Sequence, residues 1–161
     1  MAIVHELLYQ SESLREIELQ EYVQILIARL PVIFSGGAAV RFRIEAAGVR
    51  MSLDTAVTVG LIIYELVTNA LKYAFPAGRP RPDADQCEIA IAATWDGAAY
   101  TVTVADNGVG LPPDLDWLAS KTLGLRLVRM LALHQLRGQV EVDSSRGTTF
   151  RLRLAPSGRR R

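Results

Sequence analysis

The chain has 161 residues, 50% of them hydrophobic and 22% charged, with a formal net charge of +1. That is the composition of one globular domain able to bury a core of its own, and its near-neutral balance gives no global electrostatic case for nucleic acid or an anionic membrane. A single cysteine, Cys87, leaves neither an internal disulfide nor a cysteine metal cluster, no charged-then-apolar leader pattern opens the chain, and a cytoplasmic domain in reducing surroundings is expected.

Ile3, Leu7 and Leu8 make residues 3–10 a short amphipathic piece, and Ser11-Glu12-Ser13 breaks it. Leu19, Tyr22, Val23, Leu26 and Leu30 then recur at helical spacing as far as Pro31, which cannot continue a helix. Ser35-Gly36-Gly37 predicts a turn. Val40, Phe42 and Ile44 alternate with Arg41, Arg43 and Glu45, the pattern of a half-exposed strand. The long apolar run over 56–75 predicts a buried helix, capped by Ser52 or Asp54 and ended before Pro76. Its Glu65, Asn69 and Lys72 argue against a membrane span. Residues 77–85 are a loop rich in Pro, Gly, Arg and Asp. Residues 88–95 and 99–105 read as strands joined by Asp96-Gly97, a strong hairpin signal. The second strand runs into Asp106-Asn107-Gly108-Val109-Gly110, followed by an irregular connection over 111–120. A further helix opens at Gly124, is apolar at Leu127, Val128, Leu131 and Leu136, and is closed by Gly138 as its C-terminal cap. Val140 and Val142 mark a strand, 144–147 a turn, and Phe150, Leu152 and Leu154, alternating with Arg151 and Arg153, a last strand. The order helix, strand, helix, hairpin, helix, hairpin predicts a two-layer α/β sandwich. Arg159-Arg160-Arg161 reads as a solvated basic tail.

Three stretches could carry chemistry, and each also has a plain structural reading. Glu65, Asn69, Lys72 and Tyr73 fall on one helix face, since residues three and four apart are neighbours. A carboxylate and a carboxamide one turn apart can hold a hard cation and its waters; equally, the stripe could simply face solvent. Asp106 ends a strand just before two glycines, so its carboxylate could accept from an exocyclic amine while Gly108 and Gly110 let the backbone approach a flat ring. The alternative is a tight turn in which Asp and Asn bond their own backbone. Thr122-Leu123-Gly124-Leu125 leads into a helix N-terminus, where free amides favour phosphate and Lys121 and Arg126 add charge. That loop could also be an ordinary helix start.

Together and in this order, the three resemble the motifs of the GHKL ATPases. Glu65 to Asn69 resembles the N box, Asp106 to Gly110 the G1 box, and Thr122 to Leu125 the G2 box. The run Leu123 to Val128 and the closing Gly147-Thr148-Thr149-Phe150 are similar to the catalytic, ATP-binding domain of bacterial sensor histidine kinases. The short segment between Gly110 and Thr122 resembles the reduced ATP lid of the HisKA_2/HWE-type kinases, and residues 4–11 resemble the junction with their dimerisation helices. The resemblance implies a Bergerat ATP-binding fold with a mixed, mostly antiparallel sheet. It implies a domain over 19–156, with 1–18 the end of a dimerisation region and 157–161 the tail. It also implies roles. Asn69 would ligate Mg²⁺. Glu65 would be the catalytic residue, orienting a magnesium water or assisting proton removal from the phosphoacceptor. Asp106 would bond the adenine amino group in a pocket shaped by Gly108 and Gly110. Lys72 and Tyr73 would lie near phosphates or ribose; Lys121, Thr122, Leu123, Gly124 and Leu125 would surround the phosphates; Thr148 or Thr149 would support the adenine end.

The chain departs from the pattern at Tyr64, where relatives usually carry Asn, and at Tyr73, where His is common. Neither change touches Glu65, Asn69 or Asp106. By this alignment His5 is not the phosphoacceptor, which lies on a helix further upstream in such kinases, and His134 is structural. The partners implied are a histidine-bearing dimerisation domain and a response regulator, within a homodimeric full-length protein and without nucleic acid. Two alternatives stand beside this reading: a serine kinase of the anti-sigma-factor type, and a non-catalytic phosphotransfer module derived from the same fold. The junction motif argues against the first, and the retained Asn69 and Asp106 against the second.

Overall fold

The computed structural model describes residues 16–30, 39–78 and 86–156. Its elements in chain order are β1 (Ile17–Glu18), α1 (Leu19–Ala28), β2 (Val40–Glu45), β3 (Arg50–Met51), α2 (Leu53–Tyr73), β4 (Cys87–Trp95), β5 (Tyr100–Asp106), α3 (Leu123–Arg129), β6 (Gln139–Asp143) and β7 (Thr148–Leu154). Five strands form one sheet in the order β2-β4-β5-β7-β6. β2 pairs parallel to β4 across the α2 crossover, and every other neighbour in the sheet is antiparallel. The expectations at 3–10, 4–11 and 35–37, His5, most of the 77–85 loop and the 159–161 tail lie outside the described residues.

Period-two alternation decides which face of the sheet is covered. Cys87, Ile89, Ile91, Val102, Val104, Phe150, Leu152 and Leu154 point into one core with the helices. Arg41, Arg43, Glu45, Arg151, Arg153 and Glu141 stand on the opposite, solvent-facing side, and pair with one another or with Glu88 and Asp96. This is the expected two-layer sandwich with a mixed, mostly antiparallel sheet.

α2 is the central helix because its apolar residues cover more than one stripe. Ala56, Val59, Ile62, Ile63, Leu66, Val67, Ala70 and Leu71 are all buried. Of the two caps expected, Ser52 serves: its hydroxyl accepts from Thr55 N at 3.3 Å. α1 crosses α2 at Gly60, where a Cβ would lie 2.5 Å from Tyr22 Oη. A mid-helix glycine costs roughly 1 kcal/mol against Ala, and here the seating of the Tyr22 ring of α1 on Gly60 offsets it. By length and composition α2 would pass for a membrane span; it is instead the core helix of this sandwich.

Four details differ from the sequence reading. β1 and β3 pair over two residues each, Ile17 with Met51 and Glu18 with Arg50, too short to show a period. Asp96-Gly97 belongs to a four-residue loop, because β4 and β5 separate after Trp95 and Tyr100 and Asp96 Oδ1 takes the amides of Ala98 and Ala99. α3 continues as a π-helical segment, Met130–Gln135, with Leu136 N bonding Leu131 O. Finally, Gly138 is not the left-handed cap. That position is Arg137, at φ 51; Gly138 is small because a Cβ there would lie 2.8 Å from the Arg153 carbonyl. His134, expected to be structural, is exposed on the π segment.

Candidate functional site

Glu65 and Asn69 lie one turn apart on α2, and both are half-buried. What they face is the start of α3. A Cβ on Gly124 would fall 2.9 Å from Glu65 Oε2 and 3.6 Å from both polar atoms of the Asn69 amide. A side chain at 124 would require the Glu65 carboxylate to shift, and the N-terminal turn of α3 is set directly against that carboxylate and the Asn69 carboxamide. Thr122 is the N-cap of α3 but gives it no side-chain bond, because its hydroxyl is engaged with Ser120 Oγ at 3.0 Å. The leading amides of the helix are thus left to other acceptors.

Asp106 ends β5 on the helix-facing side, opposite Thr148. Its Oδ1 accepts from Gly108 N at 2.9 Å and from Thr148 N at 3.2 Å. Both bonds fall on one oxygen, Oδ1, and Oδ2 could accept a further donor. Burial pushes this carboxyl up from its usual value, against the smaller downward pull of the two amides. The approach of Thr148 N depends on Gly147, whose φ is +76 and whose Cβ would lie 2.0 Å from the Asp106 carbonyl.

The glycine turn is also seated on α2. Val109 N donates to Ala74 O at 2.9 Å, and a Cβ on Gly108 would meet that same oxygen at 2.2 Å. The sequence suggested that Gly108 makes room for a ring; what it makes room for here is the end of a helix. Gly110, at φ +79, lies against the backbone of Ser144 and Gly147. Asn107 does not bond its own turn. Its Oδ1 accepts from Glu88 N at 2.8 Å and its Nδ2 donates to Gln86 O at 2.9 Å.

The segment between the two glycine motifs is docked. Trp117 opens a short 3₁₀ turn, Trp117–Ala119, and meets Phe150 edge-on, ring centres 5.8 Å apart. The Arg129 guanidinium donates to the Leu118 carbonyl.

The structure therefore gathers Glu65, Asn69 and Gly124 at one junction and Asp106, Gly108, Gly110 and Thr148 at another, both on α2. Lys72, Lys121 and Thr122 are exposed near these groups in sequence; Tyr73 is 69% and Leu123 81% exposed, so both face solvent. Leu125 is buried in the core, which leaves only its backbone for a ligand. The two threonines are separated by strand parity. Thr148 is buried beside Asp106, whereas Thr149 lies on the other face, in an open recess of ≈ 290 Å³ with Glu141, Val142, Asp143 and Arg151. Sequence reasoning passed over Asn107 as a turn residue and had no means of seeing the Ala74 carbonyl. Among the described residues no group of three or more His, Cys, Asp or Glu side chains could cage a metal. A cation at Asn69 would need most of its oxygens from water and ligand, which is the habit of Mg²⁺.

A five-stranded mixed sheet covered on one face by helices is the two-layer α/β sandwich expected of the Bergerat type. Residues 54–158 match the family of histidine kinase-, DNA gyrase B- and HSP90-like ATPases, and the chain belongs to that family. The expected membership of the GHKL ATPases is borne out, and ATP binding is a property that this family implies. Among curated relatives, blue-light-activated histidine kinase 2 of Erythrobacter litoralis (strain HTCC2594) is 33% identical over 99 residues, covering 60% of this chain and 26% of that protein. Sensor histidine kinase PdtaS of Mycobacterium tuberculosis is 31% identical over 163 residues, covering 99% of this chain and 31% of that one. The chain thus spans less than a third of the length of these relatives. Among solved structures, the Erythrobacter litoralis EL346 blue-light activated histidine kinase superposes with a TM-score of 0.80 at 26% identity, covering 99% of this chain and 52% of that one. Its histidine kinase domain gives 0.77 at 26% identity, over 96% and 70%.

Proposed function

We propose that this chain is the ATP·Mg²⁺-binding catalytic domain of a two-component sensor histidine kinase, transferring the γ-phosphoryl group of ATP to a histidine on a dimerisation domain outside it. The observation that carries the reading is the seat of Gly124 on Glu65 and Asn69, which brings the first turn of α3 together with a carboxylate and a carboxamide. Phosphoryl transfer asks for positioning and charge neutralisation more than for covalent participation, and these groups supply both. Asn69 would hold the metal through its amide oxygen. Glu65 would orient a water of that metal or take the proton of the attacking imidazole. The amides about Gly124, with Lys121 and Thr122 nearby, receive phosphate oxygens, and Lys72 lies on the same helix face. Asp106 Oδ2 accepts from the adenine amino group, while Thr148 supports that end from its buried position. Mg²⁺, when bound, neutralises charge on the phosphate oxygens. We assign residues 19–156 to this domain, 1–18 to the end of the dimerisation region and 157–161 to a tail, and we place it in the cytoplasm as part of a homodimer acting on a response regulator.

The test is calorimetric titration of the full chain with a non-hydrolysable ATP analogue and Mg²⁺, beside Asp106→Asn and Asn69→Ala, followed by phosphotransfer to a dimerisation domain supplied in trans. Binding weakened about tenfold or more in Asp106→Asn, with magnesium dependence lost in Asn69→Ala, is the expected result. A wild-type chain that binds no nucleotide would sink the reading and leave a non-catalytic module of the same fold.

A further inference from the structure

Asn107 uses both ends of its side-chain amide on one short stretch of chain. Oδ1 accepts from Glu88 N, Nδ2 donates to Gln86 O, and its own backbone amide donates to Glu88 O at 3.2 Å. The β4–β5 ladder ends with Ile89 opposite Asp106. Beyond that pair the chain must leave the sheet to form the glycine turn, and in an ordinary strand end the next residue would be free to swing. Here three bonds carry the pairing one residue further, two of them made by a side chain reaching 19 and 21 positions back in sequence. Asp106 is therefore fixed on both sides. Asn107 anchors its C-terminal neighbour position to β4, and Gly108 and Thr148 hold Oδ1.

We propose that Asn107 is a positioning residue for adenine recognition: it clamps the backbone after Asp106 to Gln86 and Glu88, either side of the first residue of β4, so that Oδ2 is aimed at the exocyclic amine. This rests on the reading of Asp106 as the adenine acceptor given above. The residue type matters because the task needs one donor and one acceptor on the same planar group. Aspartate would keep the bond to Glu88 N and set an oxygen against the Gln86 carbonyl. Alanine would lose both bonds.

The experiment compares ATP with purine riboside triphosphate, which has the same phosphates and sugar but lacks the 6-amino group. Both are titrated with Mg²⁺ into the full chain and into Asp106→Asn, Asn107→Ala and Asn107→Asp, with a thermal melt of each protein. In the wild type, the amine bond to a carboxylate should favour ATP by about ten- to a hundredfold. In Asn107→Ala that ratio should fall to about threefold or less, with binding of the purine analogue unchanged, and Asn107→Asp should lie between. A general structural effect would weaken both nucleotides together and leave the ratio intact, and that outcome overturns the proposal. So does an Asn107→Ala that keeps the full wild-type ratio. A wild type that binds both nucleotides equally, with Asp106→Asn unchanged from it, would instead remove the adenine reading itself, and the role of Asn107 with it.

Discussion

Asp106 is a carboxylate kept where its charge is disfavoured. Burial raises its pKa, more than the amides of Gly108 and Thr148 lower it. A folded-state pKa above the unfolded one means that the native state binds the extra proton. Stability contributed by this group is then full below the unfolded value, near 3.8, and falls as pH rises through the folded value. Asp106→Asn keeps an oxygen for both amides and removes the charge. It should melt no lower than the wild type at pH 7, and any advantage should vanish as the pH drops below the ordinary carboxylate range, while affinity for ATP falls about tenfold or more. Melting curves at several pH values, with titration at pH 7, check both halves; an Asp106→Asn that melts lower at neutral pH would contradict them. Gly124 offers a second case. As Ala it would be a better helix residue by up to about 1 kcal/mol, yet its methyl would lie against Glu65 and Asn69. The expected variant melts at the wild-type temperature or slightly above and loses the magnesium-dependent part of nucleotide binding. Titration with and without Mg²⁺ would show it. At this scale the candidates were legible, because Glu65, Asn69 and Asp106 are residue types that stand out from an apolar background. What could not be read was reach: whether Thr148 or Thr149 faces inward follows from strand parity, and parity follows from a register fixed only in the sheet.

Elements were legible where they are long and periodic. α2 and the inward alternation of β4 and β7 declare themselves in sequence, and the structure finds them within a few residues of expectation. The failures have local causes. A π segment inserts a residue into the 3.6 period, so the apolar positions after Met130 lose phase with those before it. The glycine rule for helix ends then chose the wrong residue, since Gly138 sits one place beyond the left-handed position. Arg137 holds that conformation at a cost of roughly 1 kcal/mol for a non-glycine residue. Arg137→Gly should therefore stabilise the domain by up to about that amount. Gly138→Ala should destabilise it by about 1–3 kcal/mol, because its Cβ would press on the Arg153 carbonyl of β7. Urea denaturation of the pair separates conformational strain from crowding; equal effects of one sign would refute the distinction.

For the molecule as a whole, layer order followed from the sequence and the assembly of the site did not. Both junctions lie along α2, so a nucleotide held there as proposed would rest on the helix that organises the core, and binding it would stabilise the native state. Ile63, fully buried on α2, should cost about 2–5 kcal/mol as Ala, a large share of the roughly 5–15 kcal/mol typical of a domain. ATP at a hundred times its dissociation constant should restore about 2.7 kcal/mol. Thermal melts of Ile63→Ala with and without ATP·Mg²⁺ measure this coupling, and an unmoved midpoint on saturation would deny it.

The edge-on contact of Trp117 with Phe150 has an optical consequence. The chain has two tryptophans, and the other, Trp95, packs at a tilt against Tyr100 at the far end of the β4–β5 ladder. With Trp95→Phe, a single indole emitter remains, set in the segment between the two glycine motifs and half-shielded by the core. Its emission wavelength would then report, without any attached dye, whether that segment lies against the sheet or has swung into water.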